Sequence, residues 1–376
     1  MIRQGAIAVL ATALAISSAA SAQNQPRVVK HVTVIKETNK FAGWPANNAM
    51  HSWGDEIVVG FTLGTHDDDK LSGHPIKDPR SLRQARSLDG GETWAVEKPS
   101  FLDDREQERE PSDLPAAMNF EHPDFALRFR SQKGSYYYST DRCRTWNGPY
   151  NFPDFGRPGI LARTDYIVNG KLDMYVFSTS EKDNGREGWP FCARTTDGGM
   201  TWQHVGWIGK QPPVQSYGYA IMPSTVRLDN GAFLSFIRHG GEFNGQRRWW
   251  LDTHLSPDQG KSWYKLDQPY INNGGNPAAA LKLADGRIAL TYGWRHAPYG
   301  LRAMLSSDQG QTWSNEIVLR HDGDSWDIGY PRSVQRPDGN IVTVIYFKDD
   351  TSKERYITAT IWNPGIHAQS TAAEVQ

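Results

Sequence analysis

Ser87-Leu88-Asp89-Gly90-Gly91-Glu92-Thr93-Trp94 is the stretch that decides the fold, because the chain repeats it four more times. The further copies are Ser139-Thr140-Asp141-Arg142-Cys143-Arg144-Thr145-Trp146, Thr195-Thr196-Asp197-Gly198-Gly199-Met200-Thr201-Trp202, Ser256-Pro257-Asp258-Gln259-Gly260-Lys261-Ser262-Trp263 and Ser306-Ser307-Asp308-Gln309-Gly310-Gln311-Thr312-Trp313. The aspartates at 89, 141, 197, 258 and 308 are 52, 56, 61 and 50 residues apart. Each copy reads as a hairpin turn. The Asp can bond backbone N–H groups of its own loop, the Gly can take positive φ, and the Trp can pack beneath the turn. Short strands between turns that recur with this period imply an all-β chain folded as a β-propeller, one blade per copy.

A second repeat, strand–tight turn–strand, precedes the later copies: Tyr166 to Lys171, Val226 to Gly231, Leu281 to Gly286 and Val334 to Gly339. The last of these has no Asp-containing turn after it. Ile341 to Phe347 and Tyr356 to Trp362 follow, both strand-like in their β-branched and aromatic content. Val32 to Ile35 and Glu56 to Thr62 read as strands ahead of the first copy. The economical closure lets the N-terminal strand complete the last blade, which gives six blades and removes the open sheet edge. The alternative is seven, with a degenerate blade between Ser100 and Pro123.

Arg3, the apolar run Ala6 to Ile16 and Ala20-Ser21-Ala22 read as a secretory leader over 1–22, bacterial in style, so a secreted or periplasmic protein is expected. One propeller would then occupy 23–366, with a frayed tail at 367–376. No segment has the length and apolarity of a membrane span, and a net charge of −1 offers no field for nucleic acid. Cys143 and Cys192 would lie on adjacent blades, so a bridge and two buried thiols are both open. The eleven histidines include no H-x-x-x-H pair, and neither a metal nor a cofactor is expected. Five of the fourteen tryptophans belong to the repeated turn; Trp189, Trp249, Trp250, Trp294 and Trp326 are left for packing between blades or for stacking on sugar rings.

The five turns resemble the Asp-box of the sialidase-like (BNR repeat) propellers, and the resemblance runs through nearly the whole chain after the leader. It implies that the boxes are structural and face away from the active site. It also implies three arginines that hold a substrate carboxylate, a tyrosine nucleophile made basic by a glutamate, and an aspartate acid/base. Tyr330 in Ile328-Gly329-Tyr330-Pro331-Arg332 falls at the tyrosine, Arg238 and Arg302 at two of the arginines, and Asp67 to Asp69, with Asp68 at their centre, in the loop of the acid/base. The family's Arg-Ile-Pro becomes Gly43-Trp44-Pro45, so the first arginine is lost, and the glutamate becomes Pro223 or a neighbour. Without that glutamate the phenol would be a poor nucleophile.

Gly43-Trp44-Pro45-Ala46-Asn47-Asn48, His122-Pro123-Asp124, Arg163-Thr164-Asp165 and Gly329-Tyr330-Pro331-Arg332 look like a branch of Asp-box propellers that includes α-L-rhamnosidases and lyases of the rhamnose–glucuronate linkage. That branch's rhamnosidases carry a His where this chain has Asn48, which favours the lyase. Elimination next to a uronate needs its carboxylate neutralised, a base and a proton donor. Tyr330, His122, His74, Asp68 and His239 are therefore the expected catalytic residues, and Arg238, Arg302, Arg332, Arg163, Asn48 and Tyr219 the expected substrate-binding ones. The function implied is cleavage of a terminal linkage beside a carboxylated sugar, by elimination or hydrolysis. An exo-α-sialidase and a non-catalytic glycan-binding propeller are the alternatives.

Overall fold

Each repeated turn folds as its residues require. In the first, Asp89 Oδ1 accepts from Thr93 N (2.9 Å) and Ser87 Oγ (2.8 Å), while Oδ2 accepts from Thr93 Oγ1 (2.6 Å). Gly90 and Gly91 have φ of 70° and 91°, and Trp94 Nε1 donates to Gly91 O at 3.0 Å. The other four turns repeat the bonds to their aspartates. Cys143 adopts φ 63° in the place of a glycine.

The computed structural model describes residues 25–70, 73–130, 134–161, 163–214 and 217–366; the expected leader and tail lie outside them. Six antiparallel sheets follow one another. Blade I contains Lys40–Gly43, Met50–Trp53, Glu56–His66, Ile76–Ser87 and Ala95–Glu97. Blade II has only Ala126–Phe129, Ser135–Ser139 and Asn147–Asn151. Blade III runs Tyr166–Gly170, Asp173–Ser180, Trp189–Thr195 and Gln203–Trp207, and blade IV Gly218–Arg227, Phe233–Phe243, Gln246–Ser256 and Tyr264–Ile271. Blade V runs Ala278–Lys282, Ile288–Trp294, Tyr299–Ser306 and Ile317–Gly323. Blade VI joins Gly329–Gln335, Ile341–Phe347 and Tyr356–Asn363 to the N-terminal strand Arg27–Ile35.

The expected closure is therefore present. Arg27 pairs with Asn363 and Ile35 with Ile357, so the two ends of the described chain lock one blade. Residues 100–123 form no strand, only the isolated bridges Leu102–Glu108 and Ser112–Tyr150, and the described residues form no seventh blade. The short helical turn Pro45–Asn47 interrupts the inner edge of blade I. The core is a set of layers between blades. Val342, Val344, Ile357 and Ile361 of blade VI pack with Phe41, Ile57 and Phe61 of blade I.

No disulfide forms. Cys143 is buried with Val58 and Ala126, facing blade I, whereas Cys192 is buried with Phe177 and Phe233, facing blade IV. The two thiols point away from each other around the ring, and burial pushes both up.

Candidate functional site

Antiparallel order divides the loops between two faces. The repeated turns join the third and fourth strands of their blades, so they share a face with the turns that join first to second. Loops joining second to third strands, and one blade to the next, emerge on the other face. There they enclose a cavity of about 1000 Å³ over the inner strands.

Arg163, Tyr219, Met222, Arg238 and Tyr330 line this cavity, with Trp44 and His74 beside them. The inner strands are bent to present them. Trp44, Met222 and Tyr330 have φ of 59°, 57° and 54°, and register shifts fall between Ile221 and Ser224 and between Gly329 and Arg332. Side chains rarely hold this left-handed region, at a cost of about 1–3 kcal/mol each. Here it turns three large residues of blades I, IV and VI toward one space. Asn276 supports the last of them, accepting from Tyr330 N at 2.8 Å and donating to Ile328 O at 2.7 Å.

Arg238 Nη1 donates to the Tyr330 hydroxyl at 2.8 Å and lies 3.5 Å from Met222 Sδ. Its guanidinium stands 5.5 Å from the ring centres of both Tyr219 and Tyr330. Burial works against the Arg238 charge, but Tyr330, Tyr219 and Glu187 outweigh it and hold the group above its ordinary value. Burial pushes Tyr219 up to about 12. Arg163, 1% exposed, donates to Met222 O (3.3 Å), Ala278 O (2.8 Å) and Pro331 O (3.5 Å), tying blade III to blades IV, V and VI. Burial lowers it to about 10, which leaves it a cation at neutral pH. Beneath it, burial raises Asp165 to about 7 against the pull of Arg163 and Arg332.

On the cavity wall, His74 Nδ1 meets Asp327 Oδ1 at 2.6 Å. Asp327 is fully buried, accepts the Tyr346 hydroxyl at 2.7 Å and lies 3.3 Å from Arg355 Nε. Burial works against the Asp327 charge, yet His74, Tyr346 and Arg355 together hold it below the usual carboxylate range. With Nδ1 so engaged, Nε2 is the ring nitrogen left for a ligand. Trp44 meets the same imidazole edge-on at 5.0 Å. The lining carries six cationic side chains, Arg80, Arg163, Lys182, Arg186, Arg238 and Arg247, against the carboxylates Glu181 and Glu187. This excess suits an anion.

Tyr330, His74, Arg238, Arg163 and Tyr219 thus share the cavity, and the other expected site residues stand elsewhere. His122 precedes the second strand position of blade II, whose inner strand is missing. It lies on the Asp-box face, where Asp124 bonds Arg142 of the second turn. His239 follows Arg238 on one strand and so points to the opposite side. There its Nε2 meets the buried Asp252 at 2.7 Å and its ring stacks on Trp250. Arg302 is on a third strand, away from the axis, and is held by Glu316 and the carbonyl of Arg320. Arg295, at the end of the neighbouring second strand, is the arginine 5.5 Å from the Tyr330 ring centre.

Arg332 and Asn48 are bonded to the interior. Arg332 Nη2 donates to Ala46 O and Asn48 O, and Asn48 Oδ1 accepts from Arg128 at 2.7 Å. Asn47 lines the cavity where Asn48 was expected. Asp68 pairs with Lys353 (2.7 Å) and His66 (3.2 Å) in a neighbouring depression. Glu181, Lys182, Arg186 and Glu187 were not anticipated. The signal for them was positional, since their loop joins the second and third strands of blade III, as the 67–75 loop does in blade I.

Among the described residues no group of His, Cys, Asp and Glu could hold a metal ion, and no helix is long and apolar enough to cross a membrane. Residues 125–343 match the family model described as a BNR repeat-like domain. No curated protein sequence is significantly similar. A protein of unknown function from Dyadobacter fermentans superposes with a TM-score of 0.67 at 19% identity, over 90% of this chain and 99% of that one. The α-L-arabinanase of Penicillium chrysogenum, solved with arabinobiose, gives 0.57 at 14%, over 89% and 98%. The sialidase of Trypanosoma rangeli, solved with sialic acid, gives 0.53 at 12%, over 91% of this chain and 57% of that one. At these identities the likeness is one of fold.

Proposed function

This chain belongs to the BNR repeat-like domain family, and on that footing we propose that it is an exported carbohydrate-active enzyme that cleaves a terminal linkage beside a uronate, by elimination. One observation carries the reading: the Tyr330 hydroxyl is bonded to Arg238 and no carboxylate, in a cation-rich cavity that also holds a His74–Asp327 pair. A nucleophilic tyrosine needs an adjacent base. Met222 and Pro223 occupy that part of the strand, and neither can ionise. The solved neighbours that bind arabinobiose or sialic acid support a glycan ligand.

In the proposed reaction Arg238 neutralises the uronate carboxylate, with the buried charge of Arg163 behind it, and this acidifies the adjacent C–H. His74 Nε2 removes that proton while Asp327 holds the imidazole. The electron pair forms a carbon–carbon double bond, the bond to the leaving sugar's oxygen breaks, and that oxygen takes a proton from the Tyr330 or Tyr219 hydroxyl. A second reading is hydrolysis of the same linkage, favoured by Glu181 and Glu187 in one cavity wall. Incubating the protein with gum arabic, and separately with sialyllactose, distinguishes them. Ultraviolet absorbance of an unsaturated uronate, lost in Arg238→Ala and Tyr330→Phe, supports elimination. Free sugar without that absorbance, lost in Glu187→Gln, supports hydrolysis, and free sialic acid would restore a sialidase.

A further inference from the structure

A second depression, of about 610 Å³, opens between blades I and VI on the cavity face. Both it and the cavity fall in the range of small-ligand sites, about 300–1,000 Å³. Its walls come from the loops after Glu56–His66 and Ile341–Phe347, which supply Asp68, Lys70, Lys348, Asp350 and Lys353. His74 lines the cavity, whereas its chain neighbours Gly73 and Pro75 line the depression, so the two spaces meet across this segment. Trp326 stands on that ridge. It is 44% exposed, its ring centre is 5.9 Å from that of His74, and the Arg295 guanidinium lies 5.4 Å from it.

Resting on the functional reading above, we infer that Trp326 and the depression behind it form a second sugar subsite, which takes the next residue of a glycan whose end is in the cavity. On the functional reading the end of a chain sits against Arg238 and Tyr330, so the remainder of the glycan must leave over the rim. An exposed indole offers an apolar face to the C–H side of a pyranose. Three of the cations around it are already paired, Lys353 with Asp68, Lys348 with Asp324 and Arg355 with Asp327, which lessens the net charge a neutral sugar would meet. Arg355 lines the depression and also touches the aspartate that holds His74, so the subsite and the cavity wall share one network. Asp67 and Asp68 of the acidic loop line this depression and lie outside the cavity, Asp68 paired with Lys353 of the facing loop and Asp67 with Lys77.

The test uses disaccharide and tetrasaccharide fractions of partially hydrolysed gum arabic, titrated calorimetrically into Tyr330→Phe protein so that turnover does not consume them. The tetrasaccharides are expected to bind roughly tenfold more tightly than the disaccharides. Trp326→Ala should bring them to the disaccharide level and leave the disaccharides unchanged. Lys353→Ala, away from His74, should weaken the tetrasaccharides alone by a smaller factor. If both variants leave the ratio of the two affinities unchanged while Arg238→Ala abolishes binding, the subsite is wrong and the functional reading stands. If neither fraction binds the parent protein, the functional reading falls and takes the subsite with it.

Discussion

Asp327→Asn tests whether the buried carboxylate holds His74 for chemistry or only ties blade VI together. Asp327 is fully buried and gathers His74 Nδ1 (2.6 Å), the Tyr346 hydroxyl (2.7 Å) and Arg355 Nε (3.3 Å). An amide fits the same volume, but its one oxygen cannot serve all three donors, and its NH₂ then faces a guanidinium. Breaking one partner of a buried ion pair costs about 3–5 kcal/mol. Arg355 keeps Ser325 Oγ at 3.0 Å and the carbonyl of Lys353, which places the expected cost at about 3 kcal/mol. Loss of the charge and orientation behind a catalytic histidine should lower kcat by about 10²–10³ with KM little changed. Tyr346→Phe removes one bond to the same carboxylate and one from Arg295 while leaving His74 engaged, at about 1–3 kcal/mol, and so bounds the structural share. Thermal unfolding and steady-state kinetics on gum arabic oligosaccharides measure both quantities. A variant that unfolds earlier but keeps kcat within a few-fold of the parent would show that the pair serves the fold alone.

Asp258→Ala should do the reverse. It removes bonds from Ser256 Oγ and Ser262 N (both 2.9 Å) and Ser262 Oγ (2.6 Å) on the face away from the cavity, a loss of about 2–3 kcal/mol. Melting should occur several degrees lower, with turnover per folded molecule unchanged. The same aspartates predict acid sensitivity. Burial works against the Asp89 charge, but Thr93 and Ser87 hold it down at about 2, and the other four boxes shift in the same direction. A depressed carboxyl adds stability that is full above its unfolded value of about 4 and is lost as pH falls toward about 2. Unfolding midpoints should therefore drop over that interval, and Asp89→Asn should flatten the drop. Cys143 and Cys192 should titrate as two thiols only after denaturation, and a reductant should leave the melting temperature unchanged.

The Asp-boxes were legible because they are local, and the ring closure because a propeller leaves its end strands little other use. The Ser, Asp, Gly and Trp of a box satisfy one another within eight residues, and two unpartnered strand patterns at opposite ends of a chain have one economical use. The site was legible where the resemblance fixed an inner-strand or loop position, as with Tyr330 and Arg238. It failed where a single residue of register or a single missing strand decides the face. His239 is one residue from Arg238 and points the other way, toward Asp252. His122 moved to the opposite end of blade II because that blade has three strands, which sequence periodicity did not reveal. Arg302 was placed by its distance from a box, yet it stands two strands from the axis, while Arg295, just past the second strand of blade V, reaches Tyr330. Arg332 and Asn48 depend on the turn at 45–47, whose carbonyls consume the guanidinium.

Elimination beside a uronate in this cavity, as proposed, is tested most directly by following gum arabic with the parent protein by ultraviolet absorbance while released sugar is quantified. Absorbance and free sugar should rise together in equal molar amounts, and both should vanish in Arg238→Ala. Sugar released without absorbance would contradict it.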